Sequence, residues 1–396
     1  MKVLIINNDF RVYWKGRLLF LHKYLASQNI GFYAIELFGK GSPYTFDTFN
    51  NQENWWTCLF PKNSSDELSK NEIVNTVFAA LDEINPDIII SAPIVLYAGA
   101  LGIRWAKKNK KKFIMFDDAK PVQFKRNVLV QGIKDSIIKQ SDGLWLPSKA
   151  YECEYEHLHT KSIHYFHGFS CIDNSMFKPS RPNAFDNNVL VCVARLVPVK
   201  NMDNLLKAWQ LVEQKNTNYK LNIIGNGPQN ELLNQLASQL GLKRIKFTGT
   251  VDNTDIPACY HKADAFILPS LSETWGLVVN EAMASGLPVL LSNKINASEA
   301  LLTEGGNGFS FNPLDFNQIA DVILKYISLS PESKHSMSDK SFEIIGTMDY
   351  QNMGNKLVLG LTEINSKPFK KPGLLAGFLI NLWTGKDDHS AWDKLN

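Results

Sequence analysis

The sequence predicts an α/β protein of two doubly wound domains, each with a parallel sheet covered by helices on both faces. Short apolar runs alternate with helix-length segments along the chain. Nearly continuous apolar strands separated by helices are typical of parallel sheets buried on both faces. The runs form two series of about six, and 396 residues with 44% hydrophobic composition can fill two separate cores.

The first series predicts an N-terminal Rossmann-like domain over residues 1–175. Its predicted strands are KVLIIN, GFYAIELF, DIIISAP, KFIMFDDA, GLWLPS and SIHYFHGF. The segments between these runs are of helix length, and parallel neighbours need such crossover connections.

The second series predicts a C-terminal Rossmann-like domain over residues 176–365. Its predicted strands are NVLVCVARL, YKLNIIGNG, IKFTGTV, DAFILPS, LPVLLS and GFSF. Residues 201–215 and 315–329 are apolar at three- and four-residue spacing, which indicates helices. Residues 174–188, rich in Pro and Asn, are the predicted linker. Because ligands bind beyond the carboxyl ends of such strands, we expect the sheets to face an interdomain cleft with one substrate on each domain.

Bulk composition disfavours several classes of protein. A net charge of +3 with dispersed Lys and Arg argues against a nucleic-acid partner. The five cysteines include no CxxC pair, so neither a zinc site nor a disulfide framework is expected, and a reduced cytoplasmic compartment fits. The apolar start of MKVLIINNDF is too short for a signal peptide. No apolar run reaches the roughly 20 residues of a membrane span, so we expect a soluble or peripherally bound protein.

Two cations follow the first strand of the second series. Arg195 comes at the end of VLVCVARL, and Lys200 follows five residues later, before a predicted helix. Cations at the carboxyl end of a strand suit a diphosphate, since each charge-assisted hydrogen bond contributes roughly 1.5–3 kcal/mol. The alternative interpretation is a pair of solvated loop cations.

The next strand ends in GNGPQN, where Gly225 and Gly227 allow the backbone to approach a ligand closely. The stretch looks like a dinucleotide fingerprint, but Asn230 occupies the third glycine position. A nicotinamide-dependent oxidoreductase is therefore disfavoured. A plain strand-to-helix turn is the alternative interpretation of the two glycines.

The stretch SLSETWGLVVNEAMASGLPVL, residues 270–290, carries two carboxylates eight residues apart. Glu273 lies in a predicted loop, Gly276 permits close approach of the backbone, and a helix is predicted from about Leu277. The free N–H groups at the start of that helix attract a phosphate. Glu281, one turn further on, could accept both hydroxyls of a ribose. Alternatively, the two glutamates are a loop residue in solvent and a residue that favours the helix dipole.

Taken together with FTG, SGLPVL, Glu299 and GFSFNPLDFNQIA, these residues resemble the family 4 glycosyltransferases of the GT-B fold. The resemblance is specific over residues 188–330 and architectural in the first half. Glu273 and Glu281 match the E-x7-E signature of that family. The resemblance implies that Arg195 and Lys200 neutralise the donor diphosphate, that Glu281 holds the ribose and that Glu273 contacts the donor sugar. The other donor-binding residues that it implies are Gly16, Gly225, Gly227, Val251, Thr274, Trp275, Gly276 and Leu277.

The N-terminal half departs from the family pattern. The stretch VYWKGR offers only Gly16 where members carry a glycine-rich loop, and MFDDA places Asp117 where many members carry a histidine. We expect Asp117 and the adjacent Asp118 to bind the acceptor, with Asp117 also catalytic alongside Glu273 and the two cations. The alternative for Asp117 is a cap on the following segment. His167 replaces the usual Asn in the link between domains.

The resemblance implies a retaining, hexosyltransferase-type enzyme that transfers a sugar from a nucleotide diphosphate sugar, with UDP favoured, to a hydroxyl acceptor. Bacterial polysaccharide or glycolipid assembly is the expected setting. The sequence contains no D-x-D motif, so neither a metal nor another cofactor is expected. The alternatives are a non-catalytic sugar-nucleotide sensor and a GT-B sugar-phosphate synthase or phosphorylase.

The tail, residues 366–396, has two interpretations that stay open. An apolar block over residues 373–383 is flanked by lysines, and the stretch RWAKKNKKKF adds six cations from Arg104 to Lys112. Apolar side chains beside lysines suit an anionic membrane surface, where a lipid-linked acceptor would be found. Alternatively, the tail packs on the N-terminal domain. The expected location is the cytoplasm, with peripheral attachment at the inner face of the membrane left open.

Overall fold

The structure is a computed structural model that describes residues 1–10, 13–41, 53–120, 127–160, 162–180, 184–215 and 218–386. The chain divides into two compact units. The N-terminal unit comprises Met1–Phe169 and the described residues from Tyr350 onward, and the C-terminal unit comprises Ser170–Asp349.

The N-terminal unit contains a seven-stranded sheet in the order β3-β2-β1-β4-β5-β6-β7, and all its pairings are parallel. The strands are β1 (Lys2–Asn7), β2 (Gly31–Phe38), β3 (Trp56–Phe60), β4 (Ile88–Ser91), β5 (Lys112–Phe116), β6 (Gly143–Leu146) and β7 (His164–His167). The first helices of the unit are α1 (Trp14–Ser27), α2 (Lys70–Ile84), α3 (Tyr97–Lys108) and α4 (Val128–Ile138). The order reverses between β1 and β4, as in a doubly wound sheet.

Strand β3 was missing from the predicted set of strands. It is a five-residue strand at the edge of the sheet, and only its first and last residues, Trp56 and Phe60, are buried. A short edge strand lacks the continuous apolar run that identifies the central strands of a parallel sheet.

The C-terminal unit contains a six-stranded parallel sheet in the order β10-β9-β8-β11-β12-β13. The strands are β8 (Val189–Val193), β9 (Lys220–Ile224), β10 (Ile245–Gly249), β11 (Ala265–Leu268), β12 (Val289–Ser292) and β13 (Gly308–Phe311). The helices are α5 (Asn174–Phe177), α6 (Met202–Gln214), α7 (Asn230–Gln239), α8 (Ile256–Tyr260), α9 (Leu277–Ala284), α10 (Ser298–Leu301), α11 (Phe316–Ile327) and α12 (Pro331–Ile345). The two predicted doubly wound parallel sheets are thus confirmed.

The chain returns to the N-terminal unit through α13 (Tyr350–Ser366) and α14 (Leu374–Leu382). The sequence placed the domain boundary at residue 175 and the start of the tail at residue 366, whereas the units divide at 169/170 and 349/350. The second boundary falls earlier than predicted because α13 packs on α1 and β7 of the N-terminal unit. Residues 181–183 of the predicted linker and residues 387–396 of the tail lie outside the described residues.

Within the described residues, no helix combines the length and the apolar character that crossing a bilayer requires.

Candidate functional site in the C-terminal unit

The strand order of the C-terminal sheet reverses between β8 and β11. From β8 the chain proceeds to β9 and β10 on one side, and β11 lies on the other side of β8. Ligands of doubly wound sheets bind beyond the carboxyl ends of the strands at such a reversal. The loops that follow β8 and β11 are joined there, since Leu271 N donates to Val199 O at 2.8 Å and Asn201 Nδ2 donates to Pro269 O at 3.0 Å.

These two loops bring Lys200 and Glu273 into direct contact. The Lys200 ammonium forms an ion pair with Glu273 Oε1, and the hydroxyl of Ser270 donates to the same oxygen at 2.8 Å. The two charged side chains are only 20% and 12% exposed. Arg195 lies two residues after β8 in the same loop and is partly exposed. Two residues that the sequence assigned to the diphosphate and the donor sugar are therefore neighbours at the reversal.

Gly225 and Gly227 follow β9, and the structure shows why neither carries a side chain. Gly225 has φ +128°, and a Cβ atom there would overlap the carbonyl of Ala194. A Cβ atom on Gly227 would lie 2.5 Å from the carbonyl oxygen of Leu196. The two glycines thus let the β9 loop pack directly on the loop that carries Arg195.

Helix α9 begins beside the ion pair. Its N-cap is Gly276, at φ +94°, and no side chain caps the first turn. No acidic residue lies in that turn either. The backbone N–H groups of a first helical turn lack intrahelical partners, and together with the helix dipole they favour an anion.

The loop before α9 is held rigidly by polar contacts. The Trp275 side chain is buried, and its Nε1 donates to Asn280 Oδ1 at 2.9 Å. Asn296 Nδ2 donates to Thr274 O at 3.1 Å. An isolated parallel β-bridge joins the backbones of Glu273 and Ile295. Trp275 is therefore a core side chain, and only its backbone remains for a role in donor binding.

Glu281 lies in the second turn of α9 and is only 6% exposed. The hydroxyl of Tyr260, at the end of α8, donates to Glu281 Oε2 at 2.9 Å. Tyr260 is itself fully buried, so it fixes the orientation of this carboxylate. Sequence reasoning missed Tyr260, because nothing in a single sequence distinguishes it from any other aromatic residue of the core.

Val251 and Cys192 are two further residues of this unit, and only Cys192 limits the chemistry. Val251 lies two residues after β10 and is partly exposed. Burial raises the pKa of the Cys192 thiol to about 12, an effect that nearby Lys200 opposes. A thiol with this pKa stays protonated near neutral pH and is a poor nucleophile. Among the described residues, no group of three or more His, Cys, Asp or Glu side chains is placed to hold a metal ion.

The other predicted site residues lie in the N-terminal unit. Asp117 follows β5, and its Oδ1 accepts from Ala119 N at 2.9 Å while its Oδ2 accepts from the hydroxyl of Tyr155 at 2.8 Å. Burial raises the pKa of Asp118 above its usual value, and the positive charge of Arg17 opposes this effect. Asp117 is thus both a cap on the following segment and a carboxylate oriented by a tyrosine.

Gly16 lies in the first turn of α1, close to the side chain of Tyr350. A Cβ atom at position 16 would overlap the hydroxyl of Tyr350, so the absence of a side chain allows α1 and α13 to pack closely. This contact gives Gly16 a packing role, and its predicted role in donor binding stays a prediction.

Comparison with known proteins finds a family model that matches part of the sequence. Residues 175–343 match the model of the family glycosyl transferases group 1. An uncharacterized glycosyltransferase of Haemophilus influenzae is 31% identical over 171 residues, which are 42% of this chain and 47% of that protein. A GDP-mannose-dependent alpha-(1-6)-phosphatidylinositol monomannoside mannosyltransferase of Mycolicibacterium smegmatis is 32% identical over 146 residues, 35% of this chain and 38% of that protein. The chain thus spans less than half the length of these curated relatives.

Solved structures share the fold over most of the chain. Sucrose-phosphate synthase from Thermosynechococcus elongatus has a TM-score of 0.73 at 15% identity, covering 92% of this chain and 99% of that chain. Anabaena HepE in complex with UDP has a TM-score of 0.71 at 18% identity, covering 92% of this chain and 100% of that chain. At such identities the likeness shows the fold alone. The predicted GT-B fold is confirmed.

Proposed function

We propose that this protein is a glycosyltransferase that transfers a sugar from a nucleotide diphosphate sugar to a hydroxyl acceptor. The observation that carries the proposal is the joining of Lys200 and Glu273 at the strand-order reversal, beside the uncapped start of α9. A cation, a carboxylate and free backbone N–H groups suit a sugar attached to a diphosphate. The family match over residues 175–343 supports the same assignment.

The diphosphate is proposed to bind between the cations of the β8 loop and the first turn of α9. Lys200 and Arg195 supply charge-assisted hydrogen bonds, each contributing roughly 1.5–3 kcal/mol. The α9 N–H groups add about 0.3–1 kcal/mol through the helix dipole. Both sources of positive potential act on the leaving group, where negative charge grows in the transition state. We therefore propose that transfer needs no metal ion.

Glu281 is proposed to accept hydrogen bonds from the ribose hydroxyls. Its orientation is already fixed by Tyr260, so little conformational freedom is lost on binding. Glu273, held by Lys200 and Ser270, is proposed to contact the hydroxyls of the donor sugar.

The nucleotide is proposed to be UDP. The name of the Mycolicibacterium relative specifies GDP-mannose, so guanine nucleotides are the first competitors to test.

The proposed stereochemical course is retention, as the E-x7-E resemblance implies. The bond between the anomeric carbon and the leaving phosphate oxygen breaks, and the acceptor oxygen bonds to the same face of that carbon. The acceptor proton passes to the leaving phosphate, so the step is balanced without another reactant. Asp117, oriented by Tyr155, is proposed to bind the acceptor hydroxyl together with Asp118. A saccharide or lipid-linked acceptor in polysaccharide or glycolipid assembly fits this proposal.

The test is a panel of UDP- and GDP-sugars, assayed for slow hydrolysis and for transfer to acceptors with excess chelator present. We expect turnover of one nucleotide sugar, retention of its anomeric configuration, and roughly tenfold or greater loss in Glu281→Gln, because an amide replaces a charged acceptor. Glu231→Gln, an exposed position on α7, is the matched control. Tight donor binding with no transfer or hydrolysis would identify a sensor instead. Activity restored only by Mn²⁺ or Mg²⁺ would contradict the metal-free clamp.

A further inference from the structure

One side of α14 exposes a row of large apolar side chains. Leu374, Leu375, Phe378 and Leu382 are between 60% and 98% exposed. At about 100° per residue, these four positions fall within an arc of about 100° on one side of the helix. Ala376 and Ile380, on the opposite side, are buried. We call the four exposed side chains the α14 face.

The start of the neighbouring helix α4 also exposes large apolar side chains. Val128 and Leu129 are 85% and 80% exposed, and α4 is a packing neighbour of α14 within the N-terminal unit. Single exposed apolar residues are normal on soluble proteins, but several large ones on neighbouring helices mark an interaction surface.

Helix α14 is fixed to the N-terminal unit at both ends. Beyond its end, Trp383 Nε1 donates to Ile94 O at 2.6 Å and Lys386 N donates to Val95 O at 2.9 Å. Before its start, Lys112 Nζ donates to Pro368 O at 2.8 Å. The exposed face therefore belongs to an anchored helix, and its exposure does not come from a detached tail.

Several lysines of the basic run over residues 104–112 form ion pairs within the N-terminal unit. Lys107 and Lys112 are buried and pair with the carboxylate of Asp142 at 2.8 and 3.4 Å. Burial lowers the pKa of Lys107, an effect that Asp142 opposes. Lys111 pairs with Asp87 at 3.5 Å. These three lysines are occupied within the unit, whereas Lys108 and Lys110 of the same run are exposed.

Residues 366–386 contain four lysines and no Asp or Glu, but Lys367 pairs with Glu363 at 3.1 Å and Lys370 Nζ donates to Lys139 O at 2.8 Å. Lys371 and Lys386 are exposed and bracket the α14 face in sequence. A second copy of this chain on the same face would bring like charges together, whereas anionic headgroups would complement them. At 1.5 Å per residue, the nine residues of α14 extend only about 14 Å, too short to cross a bilayer but suited to lying in its interface.

We propose that the α14 face, together with the start of α4, docks on the surface of an anionic lipid bilayer. Helix α14 then lies in the plane of the interface, with its four apolar side chains among the headgroups and upper acyl chains and its flanking lysines at the phosphates. The proposal rests on the proposed function only for its purpose, since docking brings the N-terminal unit to a lipid-linked acceptor.

The test is flotation of the full chain with phosphatidylglycerol-containing and pure phosphatidylcholine vesicles, without any sugar donor. We expect binding to the anionic vesicles, and at least about tenfold weaker binding in the double variant Leu375→Glu with Phe378→Glu. The matched control is Leu314→Glu with Leu359→Glu, which changes two equally exposed apolar residues elsewhere and should bind like the original protein.

Three outcomes would overturn the proposal. Equal binding by the α14 double variant and the original chain would show that the α14 face does not contact the bilayer. Equal binding to neutral and anionic vesicles would show that charge does not contribute to binding. A dimer in sedimentation that the double variant alone dissociates, with no vesicle binding, would identify a contact between copies. Donor affinity, measured by calorimetry without lipid, should be unchanged in the double variant. Loss of membrane binding is thereby separated from failure of the proposed function.

Discussion

The loops after the strands of the two sheets differ in how they hold their carboxylates. In the C-terminal unit, Glu273 is paired with a cation from the neighbouring loop, and Glu281 receives a buried tyrosine hydroxyl. In the N-terminal unit, Asp117 caps its own segment and also receives a tyrosine hydroxyl.

This difference teaches which kind of site a sequence can reveal. Glu273, Gly276 and Glu281 lie within nine residues of one another, so a strand, a loop and a helix start produce a readable motif. Asp117 depends on Tyr155, 38 residues further along the chain. The partners of the two glutamates are also distant, since Lys200 is 73 residues from Glu273 and Tyr260 is 21 residues from Glu281. A sequence therefore reveals the short spacing of the glutamates themselves, whereas the contacts of all three carboxylates depend on the fold.

The first prediction concerns Lys200→Ala and carries the largest expected effect. Removing the ammonium deletes one charge-assisted hydrogen bond to the diphosphate and leaves Glu273 unneutralised beside it. We expect affinity for UDP to fall roughly 10- to 100-fold, corresponding to about 1.5–3 kcal/mol, with little change for uridine. Isothermal titration calorimetry with both ligands measures the difference.

The control is Lys207→Ala, which removes a partly exposed lysine paired with Asp203 at 3.8 Å on α6. Its affinity for UDP should match that of the original protein. Equal losses for UDP and uridine in Lys200→Ala would show that the side chain supports the fold of the loop and makes no specific contact with phosphate.

The fold was largely predictable from sequence, because central strands of a parallel sheet are apolar on both faces. The edge strand β3 and the place of α13 were not, since each depends on which neighbour the chain meets. Leu357 and Leu361 of α13 are fully buried in the N-terminal unit, yet their spacing would suit burial on either domain.

In the site, the residue types were predictable and their pairings were not. The sequence assigned Lys200 to the diphosphate and Glu273 to the sugar, without indicating that the two side chains form an ion pair. Likewise, the basic run around Lys107 suggested a charged surface, whereas its buried lysines pair with Asp142. Opposite charges that meet from distant segments leave no spacing pattern.

The second prediction tests the N-terminal unit with Asp117→Asn. The amide oxygen can still accept from Ala119 N, so the cap and the fold should be retained. Loss of the negative charge should lower kcat by about tenfold or more if Asp117 binds the acceptor hydroxyl or stabilises charge on the sugar ring. Affinity for UDP should stay unchanged, in contrast to Lys200→Ala.

Steady-state kinetics with a saturating donor and calorimetry with UDP separate these effects. A variant with normal kcat would leave Asp117 only its capping role. A variant with weakened UDP binding would contradict the proposal that the N-terminal unit binds the acceptor and the C-terminal unit binds the donor.

The smallest expected effect belongs to Tyr260→Phe, which removes only the hydroxyl that orients Glu281. The ring stays to fill the core, and one buried hydrogen bond contributes about 0.5–1.5 kcal/mol. We expect a roughly threefold to tenfold loss of nucleotide affinity as the carboxylate gains freedom.

The matched control is Tyr326→Phe, which changes another fully buried tyrosine of this unit, whose hydroxyl donates to Asp264 O at 2.6 Å. Both variants should lower the melting temperature, because each leaves a buried oxygen with one donor fewer. Only Tyr260→Phe should also weaken nucleotide binding. If the two variants lose stability equally and neither loses affinity, Tyr260 supports the core alone, and Glu281 holds its orientation without it.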